Sequence, residues 1–510
     1  MTTRFWRHLP ALIVACSVPA LAGAEDALPV AAELRANMRA AEHAPPGYRE
    51  TVVVTSSDGT KTTQRRIVRG DDEHDIDDTG VFHDEGGTIG GRHWRQNANG
   101  ISLDDDADPG RALPEPVTTS VARVHAPVDG YLIAILNAKG WGRRDYIDPA
   151  GWHLVRRERS DASGSVATIY DEFRDDRGRV FPHHWRAEDS IAQTTSESRV
   201  TDYAPGMVSD DELARPPSRR TLVEFPPGAE SVDLPVQFGS HIYATVTIRG
   251  TDYQFVLDTG SSGIAVDSSV ARALALPLYG EHAHVVAGRT TVARSVVPEM
   301  RVGALVMRNV AVGIVPLGSA DRLGVRMAGL LGFDFLAQLG VTIDYEGRRV
   351  SVVPGAAFRA PDDPHAFALA ARLGRGVPLV SVALDGMLAE RFVLDTGGVG
   401  NFLIFDYFMR RNPFAFRETP DAFPFAHNPK LSGVGGAFSV SPAFVHQLTL
   451  GDARVADLLG YRVTSEQAYS HDIDGVIGDG VLRYFTLALN YADERIYFTP
   501  NRAGRQLLHL

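Results

Sequence analysis

The string Phe-Val-Leu-Asp-Thr-Gly occurs twice, at 255–260 and again at 392–397, so that Asp258 and Asp395 stand 137 positions apart. In each copy three apolar residues run as a strand into a tight turn that begins with the Asp. Two such turns set face to face would bring two carboxyl groups together. Neighbouring carboxylates cannot both ionise cheaply, so one proton is shared and the two pKa values separate. The ionised member can take a proton from a bound water. The protonated member can polarise a carbonyl and later supply a proton to a leaving nitrogen. That is equipment for water-mediated hydrolysis of an amide, and it needs neither a metal nor a covalent intermediate. Gly260 and Gly397 are expected to allow backbone angles that a side chain would resist.

The repeat extends past the six residues. Gly329-Leu330-Leu331-Gly332 follows the first copy and Gly475-Val476-Ile477-Gly478 follows the second. From Gly332 to Pro354 is 22 positions, and from Gly478 to Pro500 is also 22. Within that stretch Leu336, Leu339, Val341, Ile343, Tyr345 and Arg349 fall in register with Leu482, Phe485, Leu487, Leu489, Tyr491 and Arg495. Upstream, Val302-Gly303 matches Leu450-Gly451. Landmarks repeated in one order imply two homologous units. Alternation over Tyr243 to Ile248 and the short run Tyr253 to Leu257 read as strands. Glu346-Gly347-Arg348 and Ala492-Asp493-Glu494 read as hairpin turns.

These residues resemble the retropepsin-like aspartic proteases, a family that includes the retroviral enzymes and, more distantly, the pepsins. The similarity covers about 230–502 and rests on the two Asp-Thr-Gly turns and the two Gly-ended apolar turns. It implies an aspartic endopeptidase, a hydrolase of peptide bonds, with one catalytic Asp from each lobe, Asp258 and Asp395. It also implies a pseudo-dimer within one chain, active as a monomer. Thr259 and Thr396 would bond across the lobe interface, and Thr259, Gly260, Ser261, Thr396 and Gly397 would support the dyad. Ser261 would donate to Asp258, whereas Gly398 offers Asp395 no side-chain donor. On that ground Asp395 is expected to be the protonated partner. Hairpin covers over the cleft would have their tips at Gly288 in the first lobe and at Gly433, Gly435 and Gly436 in the second. Ordinary surface loops are the competing reading for both.

Other readings stay open. A lobe pair retained as a non-catalytic, cell-envelope peptide-binding protein would keep the cleft without the reaction. A glycosidase carboxylate pair needs no Asp-Thr-Gly setting. A third Asp-Thr-Gly at Asp78 to Gly80 follows Asp75-Ile76-Asp77 rather than an apolar strand, and reads as chance. His183, His184 and His446 lack partners at zinc spacing and read as surface or packing residues. Residues 71–108 hold twelve Asp or Glu against two Arg, a net −10 within a chain total of −12. They read as a solvated acidic loop rather than a calcium site. No cofactor or metal is expected, and the absence of a basic patch argues against nucleic acid. A peptide or protein is the expected partner.

The expected division is a signal peptide (1–24), a β-rich N-terminal domain of undetermined role (25–215), a Pro-rich linker (216–229), lobe one (230–355), a connection (356–374) and lobe two (375–502). The fold class is accordingly mainly β: two tandem retropepsin-like β-barrel lobes after a separate β-rich domain. Arg4 and Arg7, the apolar run Leu9 to Val18 and Ala22-Gly23-Ala24 before Glu25 make the signal. No later stretch is apolar and long enough to span a bilayer. Cys16 is the one cysteine and lies within the signal, so export gives a chain without disulfides. Lipid anchoring at Cys16 is the less favoured alternative. Lys occurs only at 61, 139 and 430 among 51 basic residues, a bias expected of a GC-rich bacterial genome. The expected compartment is therefore the periplasm or the medium. In the N-terminal domain, Tyr48–Thr55, Gln64–Val68, Trp152–Arg157 and Ala167–Phe173 read as strands. The domain faintly resembles the curved sheets of periplasmic lipoprotein-handling proteins, and it reads as permanent rather than as an inhibitory propeptide.

Overall fold

Runs of alternating β-branched and apolar residues make this chain mainly β-strand. The structure is a computed structural model and describes residues 31–105, 118–124, 131–138, 141–161, 164–285, 289–318, 324–412, 415, 430–433, 436–463 and 473–510. The expected signal peptide with Cys16, Gly288 and Gly435 lie outside the described residues.

Two sheets close on themselves with the same pairing order. In the first, Ile242–Ile248 and Thr251–Leu257 form a hairpin. Thr251–Leu257 runs parallel to Gly329–Leu331, which lies beside Ile264–Asp267, then Leu305–Val315, then Arg289–Val302. Arg289–Val302 pairs back to Ile242–Ile248. In the second, Val377–Leu384 and Met387–Leu394 form the hairpin. Met387–Leu394 runs parallel to Gly475–Ile477, followed by Phe402–Ile404, Ala453–Val463 and Gly436–Leu450, which returns to Val377–Leu384. Each Asp-Thr-Gly turn therefore leaves its sheet beside a short parallel strand that ends in Gly332 or Gly478.

A six-stranded sheet bridges the two. Its centre pairs Leu339–Asp344 with Phe485–Asn490, Ile343 facing Leu487. Arg349–Pro354 and Arg495–Pro500 complete the two hairpins. The hairpin turns expected at 346–348 and 492–494 lie here, with Arg348 and Glu494 in the left-handed region at φ 51° and 48°. The segments read as linker and connection also carry short strands. Val223–Glu224 pairs with Leu305–Val315, and Phe367–Ala370 pairs with Arg495–Pro500. One continuous hydrophobic core runs through both barrels and the bridging sheet.

Among the described residues, thirteen antiparallel strands form the N-terminal sheet, in which the first, Gly47–Ser56, pairs with the last, Thr194–Pro205. Where it is described, the acidic stretch is largely strand rather than loop: Asp72–Asp78, His83–Ile89 and Arg92–Gln96 are consecutive partners. Several of its carboxylates have His or Arg partners on the same or the neighbouring strand. Glu85 accepts from His74 at 3.1 Å and His83 at 2.7 Å, and Arg66 reaches Asp75 at 2.7 Å. The tripeptide Asp78-Thr79-Gly80 is a hairpin turn in which the Gly80 N–H donates to Asp78 Oδ1 at 2.7 Å.

This sheet is not detached from the barrels. Ile101 and Leu103 belong to the common core. Arg294 of the first barrel pairs with Asp84 at 2.7 Å and lies 4.1 Å from the centre of the Phe82 ring. The Ala283 N–H donates to the Ala192 carbonyl at 3.1 Å. Among the described residues no helix is long and apolar enough to cross a membrane.

The bridging sheet yields a stability test. Leu487 is fully buried there, so Leu487→Ala is expected to cost about 2–5 kcal/mol. Urea denaturation measures it, and a loss below about 1 kcal/mol would show a sheet that is not closely packed.

Candidate active site

Each Asp is fixed first by its own sheet. The Asp258 N–H donates to the Leu331 carbonyl at 3.0 Å, and the Asp395 N–H donates to the Ile477 carbonyl at 2.9 Å. The next residues tie the two turns together. The Thr259 N–H donates to Thr396 Oγ1 at 3.1 Å, and the Thr396 N–H donates to Thr259 Oγ1 at 3.0 Å. Each hydroxyl then donates onward, Thr259 to the Leu394 carbonyl at 2.6 Å and Thr396 to the Leu257 carbonyl at 2.8 Å. Both threonines are 1% exposed. All four bonds cross from one barrel to the other, so neither turn can shift alone.

This grip brings the carboxyl groups together. A Cβ on Gly260 would lie 2.6 Å from Asp395 Cγ, and a Cβ on Gly397 would lie 2.6 Å from Asp258 Cγ. The requirement for glycine is therefore one of space across the interface. Neither residue has a positive φ, which corrects the expectation of special backbone angles. Gly260 and Gly397 each donate an N–H to the carboxylate two residues earlier, both at 2.8 Å.

Burial raises Asp258 well above its ordinary carboxylate value, and the charge and hydrogen bond of Asp395 add to that. Asp395 is also raised by burial, but the Asp258 hydrogen bond, its own loop amides and His241 pull against the rise. Both carboxyls are therefore raised, and the shared proton belongs to the pair. The premise of the expectation drawn from Ser261 and Gly398 fails. The Ser261 hydroxyl donates to the Gly263 carbonyl at 3.0 Å and does not serve Asp258. Nor is there room to add a hydroxyl opposite, since a Cβ on Gly398 would lie 2.9 Å from Asp395 Oδ2.

Three neighbours carried no motif. His241 acts on Asp395 from the start of the first hairpin. Tyr345 and Tyr491, matched in sequence only as landmarks of the repeat, bury hydroxyls that have no hydrogen-bond partner among the described residues. Burial pushes both phenols up; the negative charges of Asp479 and Asp395 push Tyr345 further, and those of Asp258 and Asp395 push Tyr491 further. Equivalent positions that both hold buried tyrosines were the available signal.

The proposed cleft covers are hairpins. Gly433 faces Gly436 where Lys430–Gly433 turns into Gly436–Leu450, and Val285 faces Arg289 where Tyr279–Val285 turns into Arg289–Val302. Of the histidines considered as metal ligands, His184 gathers with Asp171 and Glu172, their possible ligand atoms within 4.8 Å of one another. His184 sits between Asp171 and Glu197, 2.6 Å from each, and His446 lies 3.9 Å from Asp457. The His183 ring lies tilted against Phe181, with ring centres 4.5 Å apart.

A family model described as aspartyl protease matches residues 244–335. That span holds Asp258 and Gly329 to Gly332 and stops well short of Asp395. An uncharacterized protein in the cobV 5' region of a Sinorhizobium species is 28% identical over 127 residues, 24% of this chain and 52% of that relative. The chain thus spans about half the length of this curated relative. Among solved structures, a LolA superfamily protein from Nitrosomonas europaea is similar over 36% of this chain and 97% of its own, at 11% identity and a TM-score of 0.29. A retropepsin-like aspartic protease from Rickettsia conorii is similar over 26% of this chain and 88% of its own, at 11% identity and a TM-score of 0.19.

Two measurements test the geometry without a substrate. Thr259→Val keeps the shape but leaves the Thr396 N–H and the Leu394 carbonyl unpaired, at a cost of about 2–4 kcal/mol in chemical denaturation. The second concerns pH. Folded carboxyls with raised pKa hold their proton more tightly than unfolded ones. Their contribution is complete below the ordinary value of 3.8 and is lost as pH rises through the raised values. Asp258→Asn should therefore gain on the wild type as pH rises, by roughly 1.4 kcal/mol per unit of raised pKa. Thermal melts across the acid-to-neutral range report it, and a constant difference would mean the carboxyls are not raised.

Proposed function

We propose that the chain is an aspartic endopeptidase that hydrolyses peptide bonds at Asp258 and Asp395. The observation that carries this reading is the pair of carboxyl groups, packed so closely that each occupies the space a side chain on the other turn's glycine would need. The match of the first barrel to the aspartyl protease family model supports it. So does the common pairing order of the two barrels, which we read as tandem lobes of one retropepsin-like design, a pseudo-dimer that is active as a monomer.

In this mechanism the pair holds one proton between its two carboxyl groups. The ionised member of the pair accepts a proton from water. The water oxygen bonds to the peptide carbonyl carbon while the protonated member donates a hydrogen bond to the carbonyl oxygen. Collapse of the resulting tetrahedral species breaks the carbon–nitrogen bond, and the nitrogen leaves with a proton from the pair. Thr259 and Thr396 hold the two turns through the reaction, with Gly260, Gly397 and Ser261 shaping them. The hairpins ending near Gly288 and at Gly433 to Gly436 are proposed to fold over the bound peptide. Export to the periplasm or medium is proposed from residues 1–24.

The test is cleavage of an unfolded protein across a pH series. Asp258→Asn and Asp395→Asn should each lower the rate by about 10³-fold or more, since either change removes the shared-proton pair. Either variant retaining more than about one hundredth of wild-type activity would refute the assignment. Peptide binding by the wild type without cleavage at any pH would instead favour the envelope binding-protein reading.

A further inference from the structure

The two Asp loops are braced differently. In the second barrel the brace is internal. Asp479 Oδ1 accepts the Gly400 N–H at 3.0 Å, the Gly480 N–H donates to the Gly400 carbonyl at 2.8 Å, and the Asn401 amide reaches the Leu459 carbonyl at 2.8 Å. In the first barrel the position equivalent to Gly480 is Asp334, which is only 6% exposed. Its Oδ2 accepts the Ile264 N–H at 3.1 Å and so holds the far end of the loop that begins at Asp258. Its Oδ1 accepts the Asn97 amide at 2.6 Å. Asn97 belongs to the N-terminal sheet, in the turn between Arg92–Gln96 and Ser102–Asp104.

The turn is built to present that amide. Asn97 Oδ1 accepts the Ile101 N–H at 3.1 Å, which directs Nδ2 towards Asp334. Ile101 is anchored in the barrel core. Asn99 exchanges two hydrogen bonds with the backbone of Ala311, at 2.8 and 2.9 Å, and fixes the turn against Leu305–Val315. Burial opposes the charge on Asp334, and the surrounding amides, Asn97 among them, support it. A buried carboxylate that lost this support would loosen its hold on Ile264.

We propose that Asn97 is a positioning residue for the first half-site, acting through Asp334 on the loop from Asp258 to Ile264, so that the N-terminal sheet is a working part of the active unit. The kinetic form of this inference rests on the endopeptidase reading. The structural form does not. It follows that the sheet is not a propeptide to be discarded.

The experiment uses the full chain and a charge swap. Asn97→Asp sets two carboxylates against each other, and Asp334→Asn sets two amides against each other. With both changes, the amide now at position 334 can donate through Nδ2 to the carboxylate now at position 97 and accept from Ile264 through Oδ1, restoring the link. Each single variant should lower kcat about 10- to 100-fold with KM within about twofold, as expected for a displaced reacting group with binding intact. The double variant should return to within about fivefold of wild type. Asn97→Ser, which shortens the reach without adding charge, should show the same kcat loss in milder form and covers the case of a single variant that does not fold. Hydrogen exchange of the 258–264 segment provides the second readout: faster in the singles, restored in the double. A double variant no better than the worse single, in both kcat and exchange, would overturn the proposal. So would single variants unchanged in both. If the wild type cleaves nothing while exchange follows the expected pattern, the positioning link stands and the endopeptidase reading falls.

Discussion

Four hydrogen bonds through Thr259 and Thr396 are the constraint on which the rest of this structure depends. Each hydroxyl both accepts and donates, and every partner belongs to the opposite barrel. With both threonines buried, an unmade bond of this kind would cost about 1–3 kcal/mol. The bonds therefore fix the separation of the turns. Once that separation is set, only glycine fits at 260 and 397. The bridging sheet follows from the same requirement. Pairing Leu339–Asp344 with Phe485–Asn490 prevents the barrels from rotating about the grip.

The electrostatics follow from the enclosure. Two carboxyls brought this close in a low-dielectric setting retain a proton that they would lose in water. The surroundings of the two are not duplicated: His241 lies near enough to act on Asp395, while the serine after the first turn bonds within its own loop and not to Asp258.

Much of the barrel architecture was legible because its constraints are local. Three apolar residues before Asp-Thr-Gly, a Gly-ended apolar turn and the 22-residue spacing from Gly332 to Pro354 and Gly478 to Pro500 all depend on short stretches of chain. The hairpin turns near Gly347 and Asp493 were legible for the same reason. What failed to show was long-range. Asn97 meets Asp334 across 237 positions, and no spacing rule reports that. The acidic stretch looked like a loop because composition counts charges without seeing the His and Arg residues on adjoining strands. The role of Ser261 was misread because its hydroxyl had a nearer acceptor at Gly263. Asp78-Thr79-Gly80 shows the converse, since the same three residues without the apolar strand make only a hairpin turn.

The bridging sheet also dictates when the two turns can meet. Its central partner strands, Leu339–Asp344 and Phe485–Asn490, are separated by the whole of the second barrel. A ribosome makes the first Asp-Thr-Gly turn long before it makes the strand that locks the barrels together, and domains tend to fold in the order they emerge. Until Phe485–Asn490 emerges, Asp258 is a solvated carboxylate on an unfinished barrel and shares a proton with nothing. The arrangement works as a delay: the carboxyl pair comes into being only once the second half of the chain has been made.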